Sequence, residues 1–140
     1  MIVVLDTNVV ISALLSPSGP PAEIIKHWEA DHFDVVTSPP LLGELKRALQ
    51  YLRVKRCLDR SPDEVAAFTE RFRGVATVVE PDFTLEVIED DPADNSVPEC
   101  AVAGGACCIV TGNTHLLNMR MYKEIAILKP AAFLTVVRLK

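Results

Sequence analysis

This chain has no CxxC pair and no histidine at zinc-finger spacing. That sets aside a zinc ribbon or a dithiol redox centre. Its four cysteines, Cys57, Cys100, Cys107 and Cys108, are instead expected to be buried thiols in a reducing compartment. Cys107 and Cys108, read as neighbours on a strand, should point to opposite faces. There is no low-complexity tract and no internal repeat, which leaves out disordered and solenoid architectures. No apolar run is long enough to span a bilayer. The apolar start Met1–Leu5 is cut by Asp6 and has no basic stretch before it, unlike a secretory signal, so a cytoplasmic protein away from the membrane is expected. Basic charge is also in deficit. The formal net charge is -5, not the global signature of a phosphate-binding surface.

What is present is an ordinary globular composition, with 49% apolar and 24% charged residues in 140. That length suits one domain, residues 1–140, able to bury a core without staples. Ten prolines and six glycines fall mostly between apolar runs, as turn residues do. The charge is unevenly spread. Lys46, Arg47, Arg53, Lys55, Arg56 and Arg60 crowd one stretch, and acids gather from Asp82 to Asp94. A basic rim beside an acidic pocket fits a nuclease, while a solvated helix face is the plainer alternative.

Short β-branched runs alternate with amphipathic ones. Strands are expected at residues 2–5, 33–37, 75–79, 107–111 and 125–128. Helices are expected over 22–30, after Ser38-Pro39-Pro40, after Ser61-Pro62, over 94–103 and from Pro130. Ser38 reads as an N-cap, and Ser61 with Glu64 has capping-box spacing. The stripe Leu41, Leu45, Ala48, Leu49, Leu52 marks the buried face of the third element's helix. Alternation of this kind implies an α/β fold, a mostly parallel sheet with helices on both faces. Functional crevices in such sheets open at the carboxyl ends of the strands.

That rule singles out Asp6, directly after the first strand, and Asn113, just past the strand ending at Thr111. Glu44 borders the buried stripe, where a carboxylate is costly unless paired or bound to a cation. Asp94 stands at a helix start, which favours an anion. Clustered carboxylates repel, and a hard divalent cation such as Mg2+ or Mn2+ relieves that repulsion. Such an ion polarises a phosphoryl oxygen and activates water, the chemistry of phosphodiester hydrolysis. Each residue also has a plainer reading: Asp6 as a helix cap, Glu44 as a salt-bridge partner of Lys46 or Arg47, Asp91 and Asp94 as turn and cap residues. Thr7, Asn8 and Thr111 either orient a carboxylate or a metal-held water, or cap strand ends.

The segments Leu5-Asp6-Thr7-Asn8-Val9-Val10, Glu44, Asp91-Pro92-Ala93-Asp94-Asn95 with Glu99 to Ala106, Ile109-Val110-Thr111-Gly112-Asn113 and Lys129 to Leu134 together resemble a PIN domain. The branch most similar is that of toxin components of toxin–antitoxin systems, related to VapC-type toxins. The resemblance implies a three-layer α/β/α sandwich and metal-dependent cleavage of single-stranded RNA. Asp6, Glu44 and Asp94 match the family's first three acidic positions, as ligands for Mg2+ or Mn2+. Asn113 replaces the fourth acid, and its amide oxygen can ligate without bringing charge. His115 takes a position that carries a second Asp or a His in many relatives; it either contacts phosphate or belongs to a short turn. Pro98 replaces the usual leucine, which should push Val97 from helical angles and start the helix near Ser96 to Pro98. The resemblance further implies a small antitoxin partner and a homodimer or higher oligomer, with Lys46, Arg47, Arg53, Lys55 and Arg56 holding RNA phosphates.

Two other functions are compatible with these residues. A haloacid-dehalogenase-like phosphatase would use Asp6 as nucleophile and Thr111 as phosphate ligand, but Asn8 replaces its second acid and Asp90-Asp91 precedes the Thr111 strand rather than following it. A binding module that holds RNA or an antitoxin without cleaving is the other, allowed by Asn113 and Pro98.

Overall fold

The computed structural model describes residues 1–85 and 95–139. The sheet is built outward from β1 (Ile2–Leu5), whose side chains are apolar without interruption. It pairs in parallel with β2 (Asp34–Thr37) on one side and β4 (Cys108–Val110) on the other. β3 (Thr77–Val78) joins β2 in parallel, and β6 (Ile125–Leu128) joins β4 in parallel. The two-residue β5 (Met121–Tyr122) is antiparallel to β6. The order is β3-β2-β1-β4-β6-β5. Strand direction alternates side chains between faces, so Val3 and Leu5 enter one core while Val4 enters the other.

The first core lies under α1 (Thr7–Leu15), α2 (Pro20–Glu29), α4 (Pro62–Val75) and α7 (Pro130–Arg138), with Val9, Ile24, Phe72 and Phe133 buried in it. Trp28 meets Phe72 edge-on at 5.2 Å between centroids, and Phe33 meets Phe133 at 5.1 Å. Edge-to-face geometry is the favoured one for such pairs. The second core lies under α5 (Ser96–Gly104) and the one-turn α6 (Thr114–Leu117), which bury Val97, Cys100, Ala101 and Leu116. Helices therefore cover both faces, the α/β/α arrangement expected. α3 (Pro39–Val54) contributes to both cores: Leu41 to the second, Leu45 and Leu49 to the first. Its first turns thus sit where the two layers meet at the carboxyl end of β2.

α5 comes close to the sheet because its last residue has no side chain. A Cβ on Gly104 would lie 2.8 Å from Val36 Cγ2. Gly105 then ends the helix with φ 65°, the left-handed cap glycine takes at little cost. At the other end, Pro98 is buried in the first turn, where a missing N–H loses no helical bond. The helix begins at Ser96 as expected. Val97 is nevertheless inside it, a correction: the preproline preference yields where burial of Val97 and Pro98 rewards the helical turn.

Other details depart from the sequence reading. α1 was not among the expected helices and was implied only by the capping alternative for Asp6. Val75 closes α4 rather than opening a strand, and β3 is only two residues. The capping box of α4 is present, Glu64 N–H reaching Ser61 Oγ at 3.1 Å and Ser61 N–H reaching Glu64 Oε1 at 3.2 Å. Ser38 holds the N-cap position of α3 but makes no side-chain cap bond; its hydroxyl bonds Cys100 instead. Only Cys100 and Cys108 are buried, whereas Cys57 and Cys107 are exposed. Cys107 precedes β4 rather than belonging to it, so strand alternation does not separate the pair, and the two sulfurs are 3.7 Å apart. No helix among the described residues is long and apolar enough to cross a membrane.

Candidate active site at the carboxyl edge of the sheet

Burying a polar side chain costs free energy unless it is satisfied, so the places where a small protein does this are informative. Among the described residues six polar or charged side chains are buried: Asp6, Thr7, Thr37, Ser38, Asn95 and Thr111. All six belong to one edge. Asp6 and Thr7 follow β1, Thr37 and Ser38 end and follow β2, and Thr111 follows β4. Asn95 is the N-cap of α5, which runs back toward the start of β4.

Asp6 and Thr111 are brought together by the parallel pairing of β1 with β4, in which Leu5 stands opposite Val110. The ladder continues one residue further, Asp6 N–H donating to the Val110 carbonyl at 2.9 Å. The side chains then meet. Thr111 Oγ1 donates to Asp6 Oδ2 at 2.6 Å, a charge-assisted bond. Asp6 is 6% exposed and Thr111 0%. The threonine oxygen also accepts from the Asn113 N–H at 3.0 Å. Asn113 Oδ1 in turn accepts from the His115 N–H at 2.8 Å and so caps α6. Asp6 occupies the N-cap position of α1 without a side-chain cap bond. Its carboxylate thus bonds Thr111 and makes no cap bond to the helix start, against the plain capping alternative for Asp6; the side chain that caps a helix here is Asn113, which the sequence had not suggested.

The remaining candidates are distributed around this edge. Thr7 is buried at the first position of α1, Asn8 is exposed beside it, and His115 is exposed on α6. Glu44 is half-buried on α3, three residues from Leu41 and one from Leu45; α3 packs against α1. Asp91 and Asp94 lie outside the described residues. Among the described residues no group of three or more His, Cys, Asp and Glu is placed to hold a metal ion.

Ser38 was read only as a cap. It lies beneath a cleft of about 350 Å3 lined also by Pro39, Glu80, Pro81, Phe83, Ser96 and Glu99. Glu99 Oε2 accepts the Leu85 N–H at 3.1 Å and ties that segment to α5. The Cys100 thiol is pushed up to about 12 by burial, against which the Ser38 hydroxyl pulls it down. It is a neutral, inert group at neutral pH. Its burial next to a serine could not be read from sequence because the two lie on different elements.

The basic stretch divides over several surfaces. Lys46, Gln50 and Arg53 share one face of α3 and line a groove against Val65, Thr69 and Glu70 of α4. Arg47 folds back over Gly43. Lys55 Nζ lies 5.8 Å from the Tyr51 ring centroid. Arg56 takes φ 58°, and Arg60 pairs with Glu64 at 3.9 Å.

A mostly parallel sheet of this order, with a buried acid after its central strand and polar groups gathered at its carboxyl edge, defines an α/β protein with a candidate site at the strand ends. The PIN domain model matches residues 2–115, and the chain belongs to the PIN domain family. An uncharacterized protein of Methanocaldococcus jannaschii, MJ1680, is 29% identical over 118 residues, covering 84% of this chain and 74% of that one. Three solved structures share the fold. VapBC2 from Rickettsia felis bound to a DNA fragment from their promoter gives a TM-score of 0.61 at 14% identity, over 92% of this chain and 98% of that one. PAE2754 from Pyrobaculum aerophilum gives 0.61 at 17%, over 99% and 90%. FitAcB from Neisseria gonorrhoeae gives 0.54 at 16%, over 92% and 98%. PIN domains are generally nucleases, and PIN nucleases usually use divalent metals.

Proposed function

We propose that this protein is a Mg2+- or Mn2+-dependent endoribonuclease acting on single-stranded RNA, the toxin of a toxin–antitoxin pair working in the cytoplasm. The observation that carries the proposal is the buried Asp6 carboxylate, fixed by Thr111 where the other buried polar groups gather. A carboxylate has about four lone-pair sites and the Thr111 bond takes one of them, and carboxylate and amide oxygens such as those of Asp6 and Asn113 are the hard donors such a cation prefers. The donor chemistry therefore fits such an ion. Asp6, Glu44 and Asp94 would hold it, with Asn113 assisting. When bound, it would neutralise charge on a phosphodiester and make water a better nucleophile.

The chain's own groups have defined tasks in that reading. Thr111 fixes the rotamer of Asp6, so that the carboxylate does not reorganise during the reaction. Thr7 and Asn8 stand beside it at the start of α1, and Asp91 and His115 are assigned the same supporting role. Lys46, Arg47, Arg53, Lys55 and Arg56 supply phosphate contacts along the RNA and offset the chain's negative charge. A small antitoxin and further copies of this chain, as a homodimer or higher oligomer, are proposed as partners. The relatives that share the fold include VapBC2 and FitAcB.

A PIN-fold module that binds without cleaving is the second reading, favoured by Asn113, which caps α6 where an acid would add charge. The phosphatase reading loses its ground with the family assignment. The test incubates the protein with single-stranded RNA and single-stranded DNA, with Mg2+, with Mn2+ and with chelator, beside Asp6→Asn. RNA cleavage that needs the cation and fails in the variant supports the nuclease. RNA binding without cleavage in any cation supports the module.

A further inference from the structure

The opposite end of β2 carries a different set of donors. α2 closes in a Schellman turn. The His32 N–H reaches the His27 carbonyl at 3.0 Å, the Asp31 N–H reaches the Trp28 carbonyl at 2.9 Å, and Asp31 takes φ 60°. This turn sets the side chains three residues before the end and two after it next to each other, where an apolar contact is common. Here both are histidines. Their Nδ1 atoms are 2.7 Å apart and their ring centroids 4.9 Å apart. His32 is exposed and His27 half-buried. The backbone motif thus holds two imidazole nitrogens facing one point, two residues before β2 begins.

We propose that His27 and His32 form a two-imidazole site for a divalent transition-metal ion such as Zn2+ or Ni2+, separate from the carboxylate edge. In the ion-free pair one ring donates its Nδ1 proton to the other. On binding, that proton relocates to Nε2 of its own ring through solvent, and both Nδ1 lone pairs turn to the ion with no net proton released. Zinc–nitrogen bonds of about 2.0–2.1 Å place two tetrahedral ligands roughly 3.3 Å apart. The observed separation reaches this by a small rotation, chiefly of the exposed His32 ring. Imidazole favours Zn2+ and Ni2+, whereas Mg2+ prefers oxygen, so the two ends of the sheet sort cations by donor type. Among the described residues no third His, Cys, Asp or Glu completes the set, and water takes the other positions.

The test is calorimetric titration of the whole chain with Zn2+ and with Ni2+ in excess Mg2+, for the parent, His27→Asn and His32→Asn. One ion per chain is expected at this site, lost in either histidine variant. It should be retained in Asp6→Asn and in a Cys57→Ser/Cys107→Ser variant, which removes the exposed thiols. Ni2+ should raise the melting temperature of the parent but of neither histidine variant, because an ion that binds only the folded turn stabilises it. Absence of stoichiometric binding in the parent, binding that survives either histidine substitution, or binding that vanishes with the cysteines instead would overturn the proposal.

Discussion

Thr111 Oγ1 donates to Asp6 Oδ2 at 2.6 Å across 105 residues of sequence, and the same oxygen accepts the Asn113 N–H at 3.0 Å. One hydroxyl therefore joins the end of β1 to the loop that follows β4. Its replacement tests both ends at once. Thr111→Val keeps the shape, removes the donor to a buried carboxylate and removes the acceptor of the Asn113 N–H. The expected cost is about 1–3 kcal/mol of stability, with Thr111→Ser losing much less. Chemical denaturation of the two variants beside the parent measures this; equal stability of Val and Ser would show that the hydroxyl is dispensable.

Asp6→Asn should separate charge from structure. Thr111 still finds an oxygen to donate to, so the fold should hold and the melting temperature should change little. Cation-dependent RNA cleavage should fall by about two to three orders of magnitude, the scale seen when one electrostatic group is taken from a transition state. Gel-resolved cleavage with Mn2+, with circular dichroism on the same samples, checks both halves.

Asn113→Asp should keep the bond to the His115 N–H, because a carboxylate oxygen accepts as an amide oxygen does. It adds a negative charge to the edge that holds Asp6. Mn2+ affinity and cleavage should stay level or rise. A fall would give the amide group a role of its own.

Lys46 and Arg53 share the groove between α3 and α4. If that groove carries RNA phosphates, changing both to Gln should weaken binding and flatten its salt dependence by about 1.4 in log–log slope, at about 0.7 per single-strand phosphate contact. Fluorescence anisotropy across a salt series reads the slope. No change in slope would assign the groove to solvent.

The thiols predict a labelling pattern and an alkaline effect. Cys57 and Cys107 should react with a thiol reagent in the native protein, and Cys100 and Cys108 only after unfolding. Cys100 is raised from 9.0 to about 12. Above the unfolded value the unfolded chain has released the proton and the folded chain keeps it. The stability this group contributes is therefore full below about 9 and declines as pH rises toward 12. Cys100→Ala should flatten the stability profile in that window.

Much of the fold was legible because it rests on local pattern. The expected runs at 2–5, 33–37, 107–111 and 125–128, within which β1, β2, β4 and β6 lie, are short and mostly β-branched with turn residues after them, and the capping box at Ser61 and Glu64 is local by nature. α1 was missed for the opposite reason. Only Asn8 and Ser12 mark its exposed face, too few polar residues in a run with Val9, Val10, Ile11, Ala13, Leu14 and Leu15 to announce a helical period, and the helix is held by packing on α2 and α3. The site was legible in part. A strand-end rule picks out Asp6 and the residues after Thr111, but only the observed strand order makes β1 and β4 neighbours. The Ser38–Cys100 contact joins elements far apart in sequence, and no spacing rule announces it.

Among the described residues the sheet is bounded on both sides by strands of two residues, β3 and β5. Stubs so brief offer few open backbone groups to a neighbouring chain, a common defence against runaway strand addition. Self-association by extending the sheet at these two strands is thereby discouraged.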